Sequence, residues 1–116
     1  MSVPDWTKDG DGIAYQICGN CDAVWYFQRG FCPECGAYEP ATLQASGLGT
    51  VHARTLVARA PTEELRAHAP YLIVLVDADE GFRLMAHGDA DLQIGDRVRA
   101  RFTQLAGKKI PYFDKA

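Results

Sequence analysis

Four cysteines constrain this chain more than any other feature of its sequence. Cys18 and Cys21 form one C-x2-C pair, Cys32 and Cys35 form a second, and ten residues separate the two pairs. Two close pairs at this spacing can place four thiolates around one tetrahedral ion, as in a structural zinc site. Because four thiolates leave no open coordination position, such a metal would organise the chain and would not hold a catalytic water. The cysteines therefore predict a metal site with a structural role and not a catalytic one.

Other uses of the cysteines stay open at the level of the sequence. Two disulfides would suit an exported protein, but the start of the chain, residues 1–6, has neither the charged nor the apolar region of an export signal. Iron in a sulfur site, or an iron–sulfur cluster, also fits because thiolates bind iron well. We expect zinc because structural sites of this kind commonly hold it.

Length and hydropathy predict a small protein with two parts. At 116 residues, the chain can bury one modest core after about 25 residues are assigned to a metal ribbon. We expect a flexible lead-in over residues 1–12, a zinc ribbon over 13–42 and a barrel domain over 43–116. The longest apolar run is far shorter than the roughly 18 residues of a membrane span, so we expect a cytoplasmic protein.

The pattern after the ribbon predicts short strands. Residues 71–76 are almost continuously apolar, residues 82–87 complete a hairpin, and residues 97–103 alternate between arginine and apolar side chains. About five strands, with one helical turn expected over 61–66, fit a five-stranded OB-fold barrel better than a sandwich. The predicted fold class is mostly β: an N-terminal rubredoxin-like zinc ribbon followed by a five-stranded OB-fold barrel.

Five short motifs follow the cysteine pairs along the chain. They are Gly47-x-Gly49-x-Val51, Pro70-Tyr71, Glu80-Gly81, Ile94-Gly95-Asp96-x-Val98 and Pro111-Tyr112-Phe113. With these motifs in this order, the chain resembles the zinc-ribbon plus OB-fold accessory proteins that partner thiolase-like or hydratase enzymes acting on acyl-CoA. The resemblance covers about five-sixths of the chain, from Cys18 to its end.

The resemblance implies a non-catalytic subunit of a hetero-oligomeric acyl-CoA complex, needed for the stability or activity of its partner. A thiolase-superfamily enzyme is the expected partner, and a CoA thioester is the expected ligand of the complex. A hotdog-fold enoyl-CoA hydratase or a retro-aldolase-type enzyme is the alternative partner. The residues themselves agree with a non-catalytic role, because the three histidines are dispersed and the cysteines are assigned to metal.

A basic run near the end of the chain is a candidate contact for CoA phosphates or for an acidic partner surface. It comprises Arg97, Arg99 and Arg101 on one strand face, with Lys108 and Lys109 after a turn. The same run could be a solvated outer face, or part of a module that binds single-stranded nucleic acid. The net charge of −3 argues against a general affinity for nucleic acid.

Three successive aromatic residues, Trp25, Tyr26 and Phe27, are candidate partner contacts. In an extended strand their side chains must alternate between faces, so at least one large ring must leave the interior of the small ribbon. That ring can pack on the neighbouring barrel or lie exposed for a partner. The surrounding residues 1–40 are acidic, with a net charge of −4 from two basic and six acidic side chains.

Overall fold

Eight strands and a short 3-10 turn form the fold in this computed structural model, which describes residues 3–8, 10–58, 63, 70–105 and 107–116. The turn spans Trp6–Lys8; the strands are β1 Ala14–Ile17, β2 Val24–Trp25, β3 Ala41–Gln44, β4 Leu48–Val57, β5 Tyr71–Ala78, β6 Arg83–Gly88, β7 Arg97–Leu105 and β8 Lys108–Lys115. The helical turn expected over residues 61–66 lies, apart from position 63, outside the described residues. Within the described ranges no helix has the length and apolar character needed to cross a membrane.

The ribbon is a three-stranded antiparallel sheet in the order β2-β1-β3. β1 is its centre: Gln16 pairs with Trp25 of β2, while Tyr15 pairs with Leu43 of β3. The central strand is largely buried, whereas β3 is mostly exposed. One short strand thus joins the segment between the cysteine pairs to the segment that follows them. The domain limits at residues 12 and 42 stay predictions.

The remaining five strands close into a barrel in the order β4-β5-β6-β8-β7. All pairings are antiparallel except that of β6 with β8, and β4 pairs with β7 to complete the circle. This five-stranded barrel, together with the four-cysteine ribbon, confirms the predicted fold class. Such a barrel satisfies the backbone groups that an open sheet would leave unpaired at its edges.

Inward-facing side chains of every strand fill the barrel. Along β5 the residues Leu72, Val74 and Val76 are buried, while the equally apolar Ile73 and Leu75 between them are only half-buried on the outer surface. Gly49 allows β4 to lie close to β5, since a Cβ at this position would lie 2.6 Å from a methyl carbon of Val76. The continuous apolar run in β5 therefore reflects burial on one face and partial exposure on the other.

An aromatic stack joins the ribbon to the barrel. Phe82, in the turn between β5 and β6, is only 5% exposed. Its ring lies between Tyr15, at 5.1 Å between ring centroids, and Tyr26, at 5.6 Å. The indole N–H of Trp6 donates a hydrogen bond of 2.7 Å to the hydroxyl of Tyr26 on the ribbon side. We call this group the aromatic clamp, and it packs the ribbon against one barrel hairpin.

Candidate functional site

The four cysteine sulfurs converge on one point at the end of the ribbon. All four Sγ atoms lie within 4.8 Å of one another, with 3.6 Å between Cys18 and Cys35 and 3.6 Å between Cys21 and Cys32. Tetrahedral zinc with Zn–S bonds of about 2.3 Å requires sulfur separations of about 3.8 Å. The cluster therefore fits a single metal ion such as zinc, held by four thiolates and closed to further ligands.

Each cysteine pair forms the same kind of turn, which we call a knuckle. In each knuckle two backbone N–H groups donate to the first sulfur: those of Asn20 and Cys21 to Cys18, at 3.3 and 3.4 Å, and those of Glu34 and Cys35 to Cys32, at 3.3 and 3.4 Å. These donors stabilise negative charge on a thiolate. The two first sulfurs, of Cys18 and Cys32, are also the buried ones.

Without a metal, the exposed thiols of the two knuckles differ in acidity. Hydrogen bonds from the backbone of Ala37 and the side chain of Asn20 lower the pKa of Cys35 to about 6. At Cys21 the backbone N–H of Ala23 acts in the same direction, but lost hydration and the neighbouring thiols outweigh it and raise the pKa to about 12. A metal that takes four thiolates must therefore displace a proton at neutral pH, so its affinity should fall as the pH falls.

The residue that ends each knuckle adopts a left-handed backbone conformation. It is Asp22 with φ 64° in the first knuckle and Gly36 with φ 80° in the second. A side chain in this region costs about 1 kcal/mol, whereas glycine adopts it freely. We expect Asp22→Gly to raise the free energy of unfolding of the zinc-loaded protein by about 0.5–1 kcal/mol, as measured by urea denaturation.

The reciprocal change provides the control. Gly36→Asp places a side chain at the equivalent position and should lower the free energy of unfolding by about 1 kcal/mol. If Asp22→Gly also lowered it, the Asp22 carboxylate would have to contribute more stability than its backbone conformation costs.

A buried glutamine orders the chain between the knuckles. Gln16 is 6% exposed, and its Oε1 accepts hydrogen bonds from the indole N–H of Trp25 at 2.7 Å and from the backbone N–H of Arg29 at 2.6 Å. Its Nε2 faces the hydroxyl of Thr42 at 3.5 Å. Sequence reasoning missed this residue, although a glutamine inside an otherwise apolar strand is the signal that could have indicated it.

The three candidate aromatics have three different environments. Trp25 is half-buried and bonded to Gln16, Tyr26 belongs to the aromatic clamp, and Phe27 is 77% exposed. Burial raises the pKa of Tyr26, while the hydrogen bond from Trp6 opposes this shift. Tyr26 is thus the ring that packs on the barrel, and Phe27 is the one that faces solvent.

The basic run is mostly occupied by carboxylates of the same chain. Arg97 binds Asp79 through two hydrogen bonds of 2.7 and 2.8 Å, and this contact lowers the pKa of Asp79. Arg101 pairs with Asp114 at 2.7 Å, with its guanidinium 4.3 Å from the ring centroid of Tyr112.

Lys109 pairs with Asp11 at 2.7 Å and so contacts the lead-in. In the described part of the chain, Arg99 and Lys108 form no ion pair. They lie far apart along the β7–β8 hairpin, since Lys108 pairs with Leu105 and six residues of strand span about 20 Å. The five candidate residues therefore do not form one cluster of free cations.

The two histidines that the structure describes, His52 and His87, have different partners. His52 lies 3.5 Å from the Asp77 carboxylate, which also accepts a 2.7 Å hydrogen bond from Arg83. His87 stacks on Tyr71 with 4.9 Å between the ring centroids. His68 lies outside the described residues.

Comparison with known families identifies the barrel. Residues 43–103 match the family described as the C-terminal OB-fold domain of ChsH2. The matched segment begins in β3 and ends in β7, so it contains β4, β5 and β6 complete.

Curated relatives match about three quarters of the chain. A DUF35 domain-containing scaffold protein of Methanothermobacter thermautotrophicus is 34% identical over 95 residues, covering 76% of this chain and 69% of that protein. A protein of the same description from Methanocaldococcus jannaschii is 31% identical, covering 76% of this chain and 65% of that protein. A probable enoyl-CoA hydratase alpha subunit of Thermomonospora curvata is 28% identical over 75 residues, which are 65% of this chain but only 23% of that protein.

Solved structures share the fold. The structure described as the Ltp2-ChsH2(DUF35) aldolase superimposes with a TM-score of 0.76 at 24% identity, covering 90% of this chain and 84% of that one. A DUF35 family protein of unknown function from Sulfolobus solfataricus superimposes with a TM-score of 0.63 at 13% identity, covering 97% of this chain and 81% of that one.

Proposed function

The chain belongs to the family of the ChsH2 C-terminal OB-fold domain and of the DUF35 scaffold proteins, and from this membership we propose that it is a non-catalytic accessory subunit of an acyl-CoA-processing complex. Two relatives are described as scaffold proteins, and a third as a subunit of an enoyl-CoA hydratase. A subunit of this kind would stabilise or activate an enzyme that supplies the catalytic groups.

The single observation that carries the proposal is the closed cysteine cluster. All four cysteines of the chain meet at one site, where four thiolates around an ion leave no position for substrate or water. With zinc as the bound ion, the site would supply structural stability and would rigidify the knuckles. The buried end of the ribbon is fixed on the barrel through Phe82, so the two parts would present one rigid surface to a partner.

We propose a thiolase-superfamily enzyme as the partner. The similar ChsH2 structure is described as an aldolase, which favours a retro-aldolase-type partner as an alternative; a thiolase shares with it the making or breaking of a carbon–carbon bond. Within this proposal, Arg99 and Lys108 are the residues of the basic run that are available to a CoA phosphate. A hotdog-fold enoyl-CoA hydratase is the second candidate partner, and the description of the Thermomonospora curvata relative favours it.

Affinity purification of the tagged chain from its own cells tests the proposal. We expect an acyl-CoA enzyme to co-purify in fixed stoichiometry, together with zinc detected by elemental analysis of the same sample. Turnover of the isolated enzyme should increase when the purified chain is added back. CoA-dependent carbon–carbon bond cleavage by the recovered enzyme would support the thiolase proposal. Cleavage that needs no CoA thiol would support a retro-aldolase-type partner, and hydration of an enoyl-CoA would support a hydratase.

The matched control is the same tagged chain carrying Cys32→Ser, which should recover little of the enzyme. Full turnover and stability of the enzyme in the absence of this chain would contradict the accessory role. Recovery of the chain with oligonucleotides, through binding that weakens steeply with salt, would instead indicate a nucleic-acid module.

A further inference from the structure

The second knuckle presents two large aromatic rings to solvent. Phe31 and Tyr38 form an isolated antiparallel bridge across this knuckle, and they are 48% and 83% exposed. Residues opposite each other in such a bridge have neighbouring side chains. Cys32 and Cys35 lie in the intervening chain, so a metal bound by them would fix the position of both rings. Exposed rings on a rigid turn are typical of protein interaction sites.

Two carboxylates beside these rings have no ion-pair partner in the described part of the chain. Glu34 and Glu39 are exposed, and neither forms an ion pair with any residue in the described ranges. The sequence contains no lysine or arginine from residue 30 to residue 53. We call Phe31, Glu34, Tyr38 and Glu39 the knuckle surface. It combines aromatic faces with negative charge, and Arg29, the nearest cation in sequence, forms no ion pair with its carboxylates in the described part of the chain.

A contact within the barrel shows which side chain can bind an aromatic ring and a carboxylate together. There, Arg101 lies 4.3 Å over the ring of Tyr112 and donates a 2.7 Å hydrogen bond to Asp114. A guanidinium satisfies both groups because it stacks on an aromatic face and pairs with a carboxylate at the same time. The knuckle surface carries the ring and the carboxylate of this arrangement but not the cation.

We propose that the knuckle surface docks on an arginine-bearing face of the enzyme subunit. This inference rests on the proposed function, which supplies the enzyme, and it adds the contact surface and the chemistry of the partner. Arginine suits the site better than lysine, because only the planar guanidinium can stack and hydrogen-bond in one orientation. A metal bound by the four cysteines would keep the knuckle rigid in the free subunit and so reduce the entropy lost on docking.

Binding measurements with the co-purified enzyme test this surface. Each variant of the full chain is titrated with the purified enzyme by calorimetry, and its zinc content confirms that the ribbon is intact. We expect Tyr38→Ala to weaken binding about tenfold or more, as for a buried aromatic anchor. Tyr38→Phe retains the ring and should bind like the wild type. Glu39→Lys should raise the dissociation constant and reduce its dependence on salt concentration.

Met85→Ala provides the matched control. Met85 is 65% exposed on the outer face of β6, far from the knuckle in sequence, and its removal should change the dissociation constant by less than about twofold. If Tyr38→Ala and Glu39→Lys bound as tightly as the wild type, the proposed docking role of the knuckle surface would be wrong, whereas the proposed accessory function would remain. Weakening by Met85→Ala alone would place the contact on the barrel. If the wild-type chain bound no acyl-CoA enzyme, the proposed function would fail and this inference with it.

Discussion

Replacing Cys32 with serine is expected to abolish metal binding and unfold the ribbon while the barrel stays folded. Cys32 is 1% exposed, and its sulfur accepts two backbone hydrogen bonds and lies 3.6 Å from that of Cys21. Structural zinc contributes about 10–16 kcal/mol to the folding of small zinc domains, far more than the three short ribbon strands can replace. The barrel has its own closed sheet, and its interior residues Val74 and Val98 are both fully buried, although Ile13 and Tyr15 of the ribbon side pack into the same core.

The chain offers separate reporters for its two parts. Its two tryptophans, Trp6 and Trp25, both lie on the ribbon side, with their indole N–H groups bonded to Tyr26 and Gln16. Tryptophan fluorescence therefore follows the ribbon, while methyl resonances of Val74 and Val98 follow the barrel core. In Cys32→Ser, and in wild-type protein treated with a chelator, we expect the fluorescence to shift to the red and the methyl resonances to remain dispersed.

Metal analysis completes this experiment. Cys32→Ser should retain little zinc after dialysis, whereas Asp22→Gly, a change in the other knuckle that spares every sulfur, should retain it fully. A Cys32→Ser protein with unchanged zinc content and unchanged tryptophan emission would refute the four-cysteine assignment. Collapse of the barrel together with the ribbon would show instead that the two parts fold as one cooperative unit.

Local patterns predicted the ribbon and the fold class of the barrel, but they did not indicate β8, which lies between β6 and β7 in the closed sheet. The C-x2-C pairs determine a metal knuckle almost without regard to the rest of the chain, because ligand spacing and turn geometry are local properties. The alternation of Val98, Ala100 and Phe102 with arginines correctly indicated a strand with one face inward. The strand order and the parallel contact of β6 with β8 required the structure, since these pairings join residues distant in sequence.

The surface contacts were harder to predict from sequence, because they depend on which side chains meet in space. Arg97, Arg101 and Lys109 read as available cations, yet each has a carboxylate partner from a different part of the chain. The exposed rings of Phe31 and Tyr38 were overlooked, because nothing local distinguishes them from rings that pack inward.

Truncation of Phe82 should uncouple the ribbon from the barrel. We expect Phe82→Ala to lower the free energy of unfolding by about 3–5 kcal/mol, the usual cost of removing a buried phenylalanine ring. Both the ribbon and the barrel should lose stability, because the ring is stacked between Tyr15 and Tyr26 of the ribbon while its backbone belongs to the barrel hairpin. Urea denaturation followed by tryptophan fluorescence measures this change, since Trp6 is bonded to Tyr26.

A second phenylalanine provides the control for side-chain type. Phe27 is 77% exposed, with its ring 5.3 Å from that of Tyr26, and Phe27→Ala should cost no more than about 0.5 kcal/mol. Phe82→Leu retains much of the buried volume and should lie between these two values. Equal effects of Phe27→Ala and Phe82→Ala would contradict the aromatic clamp.

Uncoupling should also be visible in the titration of Tyr26. Burial holds the pKa of its hydroxyl above the ordinary value, so exposing it in Phe82→Ala should bring that pKa back down. A tyrosine whose pKa is raised in the folded state stabilises the folded protein at pH values below the pKa of the unfolded state, and this contribution is lost as the pH rises. The wild type should therefore lose more stability than the variant at alkaline pH. If the clamp also presents the ribbon to the enzyme, Phe82→Ala should weaken the complex even though Phe82 itself is buried and makes no contact with a partner. That result would separate a residue that orients the docking surface from the residues that form it.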